Sequence, residues 1–116
     1  MALFTGIDTV FYQVCSMDRA VAFYGDVLGL SLLRREGNDW AEFQIGDSVL
    51  AVSGELATKP LTGGAKVLLR TDDLHEVERH LGANDVKRGR IQDLGGALSM
   101  ELYDPDGNEL LVIQPS

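Results

Sequence analysis

TVFYQVCS, Thr9 to Ser16, is matched 57 residues further on by KVLLRTDD, Lys66 to Asp73, and this correspondence decides the fold. Each stretch opens with a short run of strand-forming residues and closes on a residue that caps helices. The alignment sets Thr9-Val10-Phe11-Tyr12-Gln13-Val14 on Lys66-Val67-Leu68-Leu69-Arg70-Thr71, and Ser16 on Asp73. After Ser16, the residues Ala20, Val21, Phe23, Tyr24, Val27 and Leu28 recur at helical spacing until Gly29 stops them. After Asp73, Glu76 completes a capping box, Leu74, Val77 and Leu81 form an apolar stripe, and Gly82 ends it.

Three strands are expected behind each helix. In the first half they are LSLLRRE (30–36), WAEFQI (40–45) and SVLAVSG (48–54), parted by polar turns at Gly37-Asn38-Asp39 and Gly46-Asp47. In the second half they lie near residues 86–92, 98–103 and 109–114. The closing strands correspond as well, VLAV (49–52) on ELLV (109–112), after a slip of three residues. GELATKPLTGGA (54–65) is Gly-rich and holds a proline, which reads as a linker. The predicted class is α+β: a single domain, 1–116, made of two βαβββ modules at about 5–54 and 66–116. Each module is too small to close a core by itself. They are expected to pack together as a curved mixed sheet, helices on the outer face and the concave face free to line a pocket.

With 45% apolar residues the chain has material for an ordinary core. One cysteine, Cys15, excludes an internal disulfide and suits a reducing compartment. The opening residues lack the basic segment and long apolar run of a signal peptide, and no run reaches membrane-spanning length. A cytoplasmic protein with no membrane partner is expected. The formal charge is −8, from 18 acidic and 10 basic residues. Such a field repels nucleic acid and favours a cationic ligand, and it also keeps a protein soluble.

Two local motifs join the duplication: MDRAVAFYGDVLGL (17–30) and YDPDGNELLVIQP (103–115), the latter turning on Asp104-Pro105-Asp106-Gly107-Asn108. Over nearly its whole length the chain thereby resembles the vicinal oxygen chelate family, which includes glyoxalase I, extradiol dioxygenases, methylmalonyl-CoA epimerase and the bleomycin resistance proteins. The resemblance implies paired βαβββ modules forming a U-shaped mixed sheet, with modules often shared across a homodimer. In the family's enzymes a divalent metal on the inner sheet face polarises a substrate oxygen. The four strand positions that usually ligate it correspond here to Thr9, Ala51, Lys66 and Leu111. None is a good donor for a divalent ion, and Lys66 would set a positive charge against one. Glu109 shares the face of Leu111 but lies about 7 Å along the strand.

Alternation carries neighbours onto that inner face. Thr9, Phe11, Gln13, Trp40, Glu42, Ala51, Lys66, Leu68, Glu101, Tyr103 and Leu111 are the side chains expected to line a ligand site. Flat aromatics beside carboxylates suit an aromatic or positively charged small molecule. Phe23, Tyr24, Phe43, Ile45, Leu98, Met100 and Leu102 are expected in the core, with Cys15 a small apolar filler. His75 and His80 are expected on a helix surface, and Arg34-Arg35 and Lys87-Arg88 in solvent. Three readings stand open. The favoured one is a bleomycin-resistance-type binding protein that sequesters a bulky cationic or aromatic antibiotic or metabolite, with no metal, cofactor or catalytic residue. The second is a metal-dependent lyase, isomerase or dioxygenase with ligands elsewhere. The third is a metal-free enzyme using Glu42, Glu101 or Lys66 as acid or base.

Overall fold

Ser16 and Asp73, both extended in backbone, each turn a side-chain oxygen onto the amide three residues ahead. Ser16 Oγ accepts from Arg19 N at 3.3 Å and Asp73 Oδ1 from Glu76 N at 3.1 Å. Both helices therefore start where the sequence places a cap, because the first amides of a helix have no partner within it. The computed structural model describes Leu3 and residues 9–54 and 66–116. Beyond Gly54, the expected linker lies outside the described residues, as does the start of the first strand. Contacts divide the chain into two units, Met1–Pro60 and Leu61–Ser116.

In the first unit, β1 (Val10–Gln13) leads into α1 (Met17–Val21), which continues as a π-helix over Ala22–Val27. Three strands follow, β2 (Ser31–Glu36), β3 (Trp40–Ile45) and β4 (Ser48–Ser53), in the sheet order β1-β4-β3-β2. β1 pairs with β4 in parallel and the other pairs are antiparallel. A parallel pair needs a long return connection, which the helix begins. Phe23 and Tyr24 are buried, and the Tyr24 ring lies 5.8 Å from that of Phe43. The helical segment thus covers the sheet face carrying Ala41, Phe43, Leu50 and Val52, all buried. Leu28 N bonds to Phe23 O, five residues back, and Gly29 (φ 77°) turns the chain away as expected.

The second unit repeats this plan. β5 (Val67–Arg70) precedes α2 (Leu74–Ala83), then come β6 (Gln92–Asp93), β7 (Leu98–Tyr103) and β8 (Glu109–Gln114), in the order β5-β8-β7-β6. Leu74 and Leu81 of α2 are buried, as are Met100, Leu102, Leu110 and Val112 of the sheet. Gln114 ties helix to sheet: its Oε1 accepts from Leu74 N at 2.8 Å. At the β7–β8 turn, buried Asp104 accepts from the amides of Asp106 and Asn108 at 2.9 and 2.8 Å and from Asn108 Nδ2 at 2.8 Å. One carboxylate therefore organises the whole turn. Among the described residues no helix is long and apolar enough to cross a membrane.

Register shows how closely the halves agree. Phe11 pairs with Ala51, and Ala51 with Glu42; Leu68 pairs with Leu111, and Leu111 with Glu101. The slip of three residues read from the sequence is the one the strands adopt.

Three local expectations are corrected. The strand expected at 86–92 is reduced to a bridge between Arg88 and Leu102 and the two residues of β6. Gly89 interrupts it, a poor strand former, and the pairing slips by one residue before Gln92 meets Ser99. Helix α2 runs one residue past Gly82, and Asp85 takes the positive φ of 56° that ends it. Cys15 is exposed in the turn after β1, because Val14 takes the buried place.

Replacing either cap, Ser16→Ala or Asp73→Ala, should lower stability by about 1 kcal/mol. Denaturant titration of the two variants should show similar losses, since the two bonds are equivalent in the repeat.

Candidate functional site

In each unit the sheet face away from the helix gathers the side chains that alternation assigned to it. Paired residues on neighbouring strands share a face. In module one this places Phe11, Ala51 and Glu42 in one row and Gln13, Ser53 and Trp40 in the next. Phe11 is half exposed at 50%, whereas Ala51 is fully buried. The Phe11 and Trp40 rings belong to strands on either side of β4, about 9–10 Å apart by strand spacing. Their centroids nevertheless stand 5.4 Å apart with planes at 57°. That approach is possible because the intervening β4 side chains are the small Ala51 and Ser53, both buried. Thr9 immediately precedes β1, and its Oγ1 is buried with no hydrogen-bond partner among the described residues.

Electrostatics of this face centre on Glu42. Its Oε2 accepts from Trp40 Nε1 at 2.8 Å and from Arg34 Nη2 at 3.1 Å, while Arg34 Nη1 reaches Glu36 at 3.0 Å. The hydrogen bond from Arg34, then that from Trp40, holds the Glu42 carboxyl below the usual glutamate range, against the opposing effect of burial. Arg34 and Arg35 are both exposed, as the sequence leads one to expect. The strand breaks register between Leu32 and Arg34, which sets Arg34 opposite Glu42. Arg35 is turned to the helix side, where it bonds Asp18 at 2.6 Å. Arg34 and Glu36 are thus members of the face that sequence reasoning missed. Alternation on β2 and on β3 was visible, but the register between the strands was not.

In module two the corresponding rows are Leu68, Leu111 and Glu101, then Glu109 and Tyr103 with Lys66 just before β5. Lys66 Nζ bonds Glu109 Oε2 at 2.9 Å. Burial, and then the negative charges of Glu109 and Glu101, push the Tyr103 phenol up, with Lys66 opposing them. Lys87 Nζ stands 5.1 Å from the centre of the Tyr103 ring. Leu68 is 57% exposed, an unusual place for a leucine, and Leu111 is half-buried beside it.

A profile of the Glyoxalase/Bleomycin resistance protein/Dioxygenase superfamily matches residues 6–112. The chain belongs to that superfamily. No curated protein matches it in sequence. Among solved structures it is similar to TnmS3, an antibiotic binding protein from Streptomyces sp. CB03234, at 24% identity, with 100% of each chain covered and a TM-score of 0.83. It is also similar to a lactoylglutathione lyase from Agrobacterium tumefaciens, at 20% identity, with 97% of this chain and 95% of that one covered and a TM-score of 0.77. A superfamily member from Sphaerobacter thermophilus stands at 19% identity, 97% and 98% coverage and a TM-score of 0.80. These likenesses establish a shared fold.

The metal of the superfamily's enzymes does not fit the residues at its four customary places. Ala51 is a buried methyl flanked by the Phe11–Trp40 pair, and Leu111 offers a hydrocarbon. Lys66 is an ammonium already paired with Glu109, and only Thr9 carries an oxygen, a neutral hydroxyl. Divalent ions of this class require imidazole or carboxylate donors. Among the described residues no group of three or more His, Cys, Asp or Glu side chains is placed to hold an ion.

The lowered carboxyl of Glu42 gives a pH signature. Its stabilising effect should be fully present above about pH 4.3, the ordinary glutamate value, and lost as pH falls through the lower folded value. The stability gap between the natural protein and Glu42→Gln, followed by urea titration, should be constant near neutrality and close only below that point.

Proposed function

We propose that the chain is a small-molecule-binding protein of the bleomycin-resistance type. It sequesters a bulky aromatic or cationic compound, an antibiotic or a related metabolite, without a metal and without turning it over. The observation that carries this reading is the replacement of the four metal-binding places by Thr9, Ala51, Lys66 and Leu111 on faces that also bear Phe11, Trp40, Tyr103, Glu42 and Glu101. Aromatic rings stack on flat ligands, and carboxylates select positive charge, both aided by the chain's net charge of −8. The same fold serves antibiotic binding in TnmS3. A cytoplasmic homodimer is part of the proposal. In each sheet the first strand is an edge, and edges bearing half-exposed Phe11 or Leu68 call for a cover.

Incubation with extracts of antibiotic-producing cultures, followed by mass spectrometry of what co-purifies, should recover a cationic or aromatic compound of unchanged mass. Elemental analysis should find no stoichiometric Zn, Ni, Fe or Mn. A bound metal in equal amount, or chemical conversion of the captured compound, would favour a metal-dependent lyase, isomerase or dioxygenase. Sedimentation at micromolar concentration should report a dimer.

A further inference from the structure

Glu42 and Glu101 occupy the same place in the two modules. Each lies across the closing strand's central residue, Ala51 or Leu111, from an exposed apolar side chain, Phe11 or Leu68. Their outer neighbours differ. Opposite Glu42 stands Arg34, whose guanidinium reaches the carboxylate at 3.1 Å. Next to Glu101 the outer segment presents Gly89, whose amide donates to the Glu101 carbonyl at 3.0 Å and which brings no side chain at all. A Cβ built on Gly89 would overlap the Glu101 carboxylate, so the carboxylate lies over the glycine in space that any other residue would fill. Among the described residues the ion pairs engage Glu36, Glu42, Asp18, Glu109 and Glu76, and none engages Glu101. Lys87 is directed to the Tyr103 ring.

We infer that Glu101 is the receptor for a guanidinium, amidinium or ammonium group on the ligand. In module two the ligand supplies the cation that Arg34 supplies in module one. The inference rests on the binding-protein reading above and adds to it the residue and the chemical group recognised. A carboxylate accepts a planar amidinium or guanidinium through two parallel hydrogen bonds. Gly89, having no side chain, lets the Glu101 carboxylate lie over it with no protein cation set opposite, and Leu111 with half-exposed Leu68 provides an apolar surface for the body attached to such a group. The internal repeat serves as the template: the same carboxylate, on the same strand position, already accepts a guanidinium in the other module.

Benzamidine and its neutral analogue benzamide provide the test, followed by amide chemical shifts of the full chain. Benzamidine should shift the amides of Gly89, Glu101 and Leu111, and benzamide should not. Glu101→Gln, nearly isosteric, should weaken benzamidine binding about tenfold or more, as expected for loss of a charge-assisted hydrogen-bonded pair. Gly89→Arg, which tethers a guanidinium beside Glu101, should abolish it; should that variant not fold, Glu101→Gln carries the test. Equal binding by the natural protein and Glu101→Gln, shifts confined to module one, or no binding at millimolar benzamidine would overturn the assignment. Capture from culture extracts, run in parallel on both proteins, separates the two readings. A neutral compound retained equally by both would uphold the binding protein and overturn the role of Glu101. Glu101-dependent benzamidine binding with nothing captured would do the reverse.

Discussion

The parallel pairing of the first and last strands in each module, β1 with β4 and β5 with β8, is the constraint on which everything else depends. A parallel pair requires the chain to travel back along the sheet before it can pair again, so a helix must cross one face. That face becomes the core and the other is left to function. The sequence obeys the requirement twice, with a cap immediately after the first strand and apolar helix residues that reach Phe43 in one case and the Met100–Leu102 strand in the other. Side chains on the remaining face are not packed against the helix, although Ala51 and Ser53 there are buried, and aromatic, acidic and aliphatic residues mix on it.

Much of this was legible in the chain because it is local. Ser16 and Asp73 cap helices by bonds spanning three residues, Gly29 stops one by its own backbone freedom, and Asp104 organises a turn four residues long. Alternation likewise gave the correct face for Phe11, Glu42, Glu101 and Tyr103. What escaped was whatever depends on the pairing of one strand with another. The partnership of Arg34 with Glu42 follows from a break in register at Leu33, and the shortness of β6 from a similar slip beyond Gly89. The break at Leu33 has no signature that can be read along one strand, and Gly89, though a poor strand former, does not by itself say how the pairing beyond it shifts. Cys15 was misplaced by a single residue, enough in a turn to exchange a buried position for an exposed one.

The two modules have diverged in how their free faces are satisfied. Module one is largely complete in itself: the aromatic pair stands beside buried Ala51, and Glu42 is held between an indole and a guanidinium. Module two carries longer aliphatic side chains at the matching places, Leu68 and Leu111, and a glycine where a cation stands in the first. In module one the carboxylate of the central row is paired with Arg34, whereas among the described residues no ion pair engages Glu101 in module two, although Lys66 and Glu109 pair in the next row. In both modules the places at which the resemblance expects metal ligands carry side chains, Thr9, Ala51, Lys66 and Leu111, that are poor donors for a divalent ion.

Trp40 is the only tryptophan in the chain, and its surroundings are unusually well defined for a residue on an open face. One side of the indole meets the Phe11 ring, and its N–H is held by the Glu42 carboxylate, whose pKa lies below the usual glutamate range. An indole so placed is sensitive to both the polarity and the field at its edge. The protein consequently carries a native fluorophore within module one's exposed face. Events on that face can be followed optically without attaching a label or disturbing a contact.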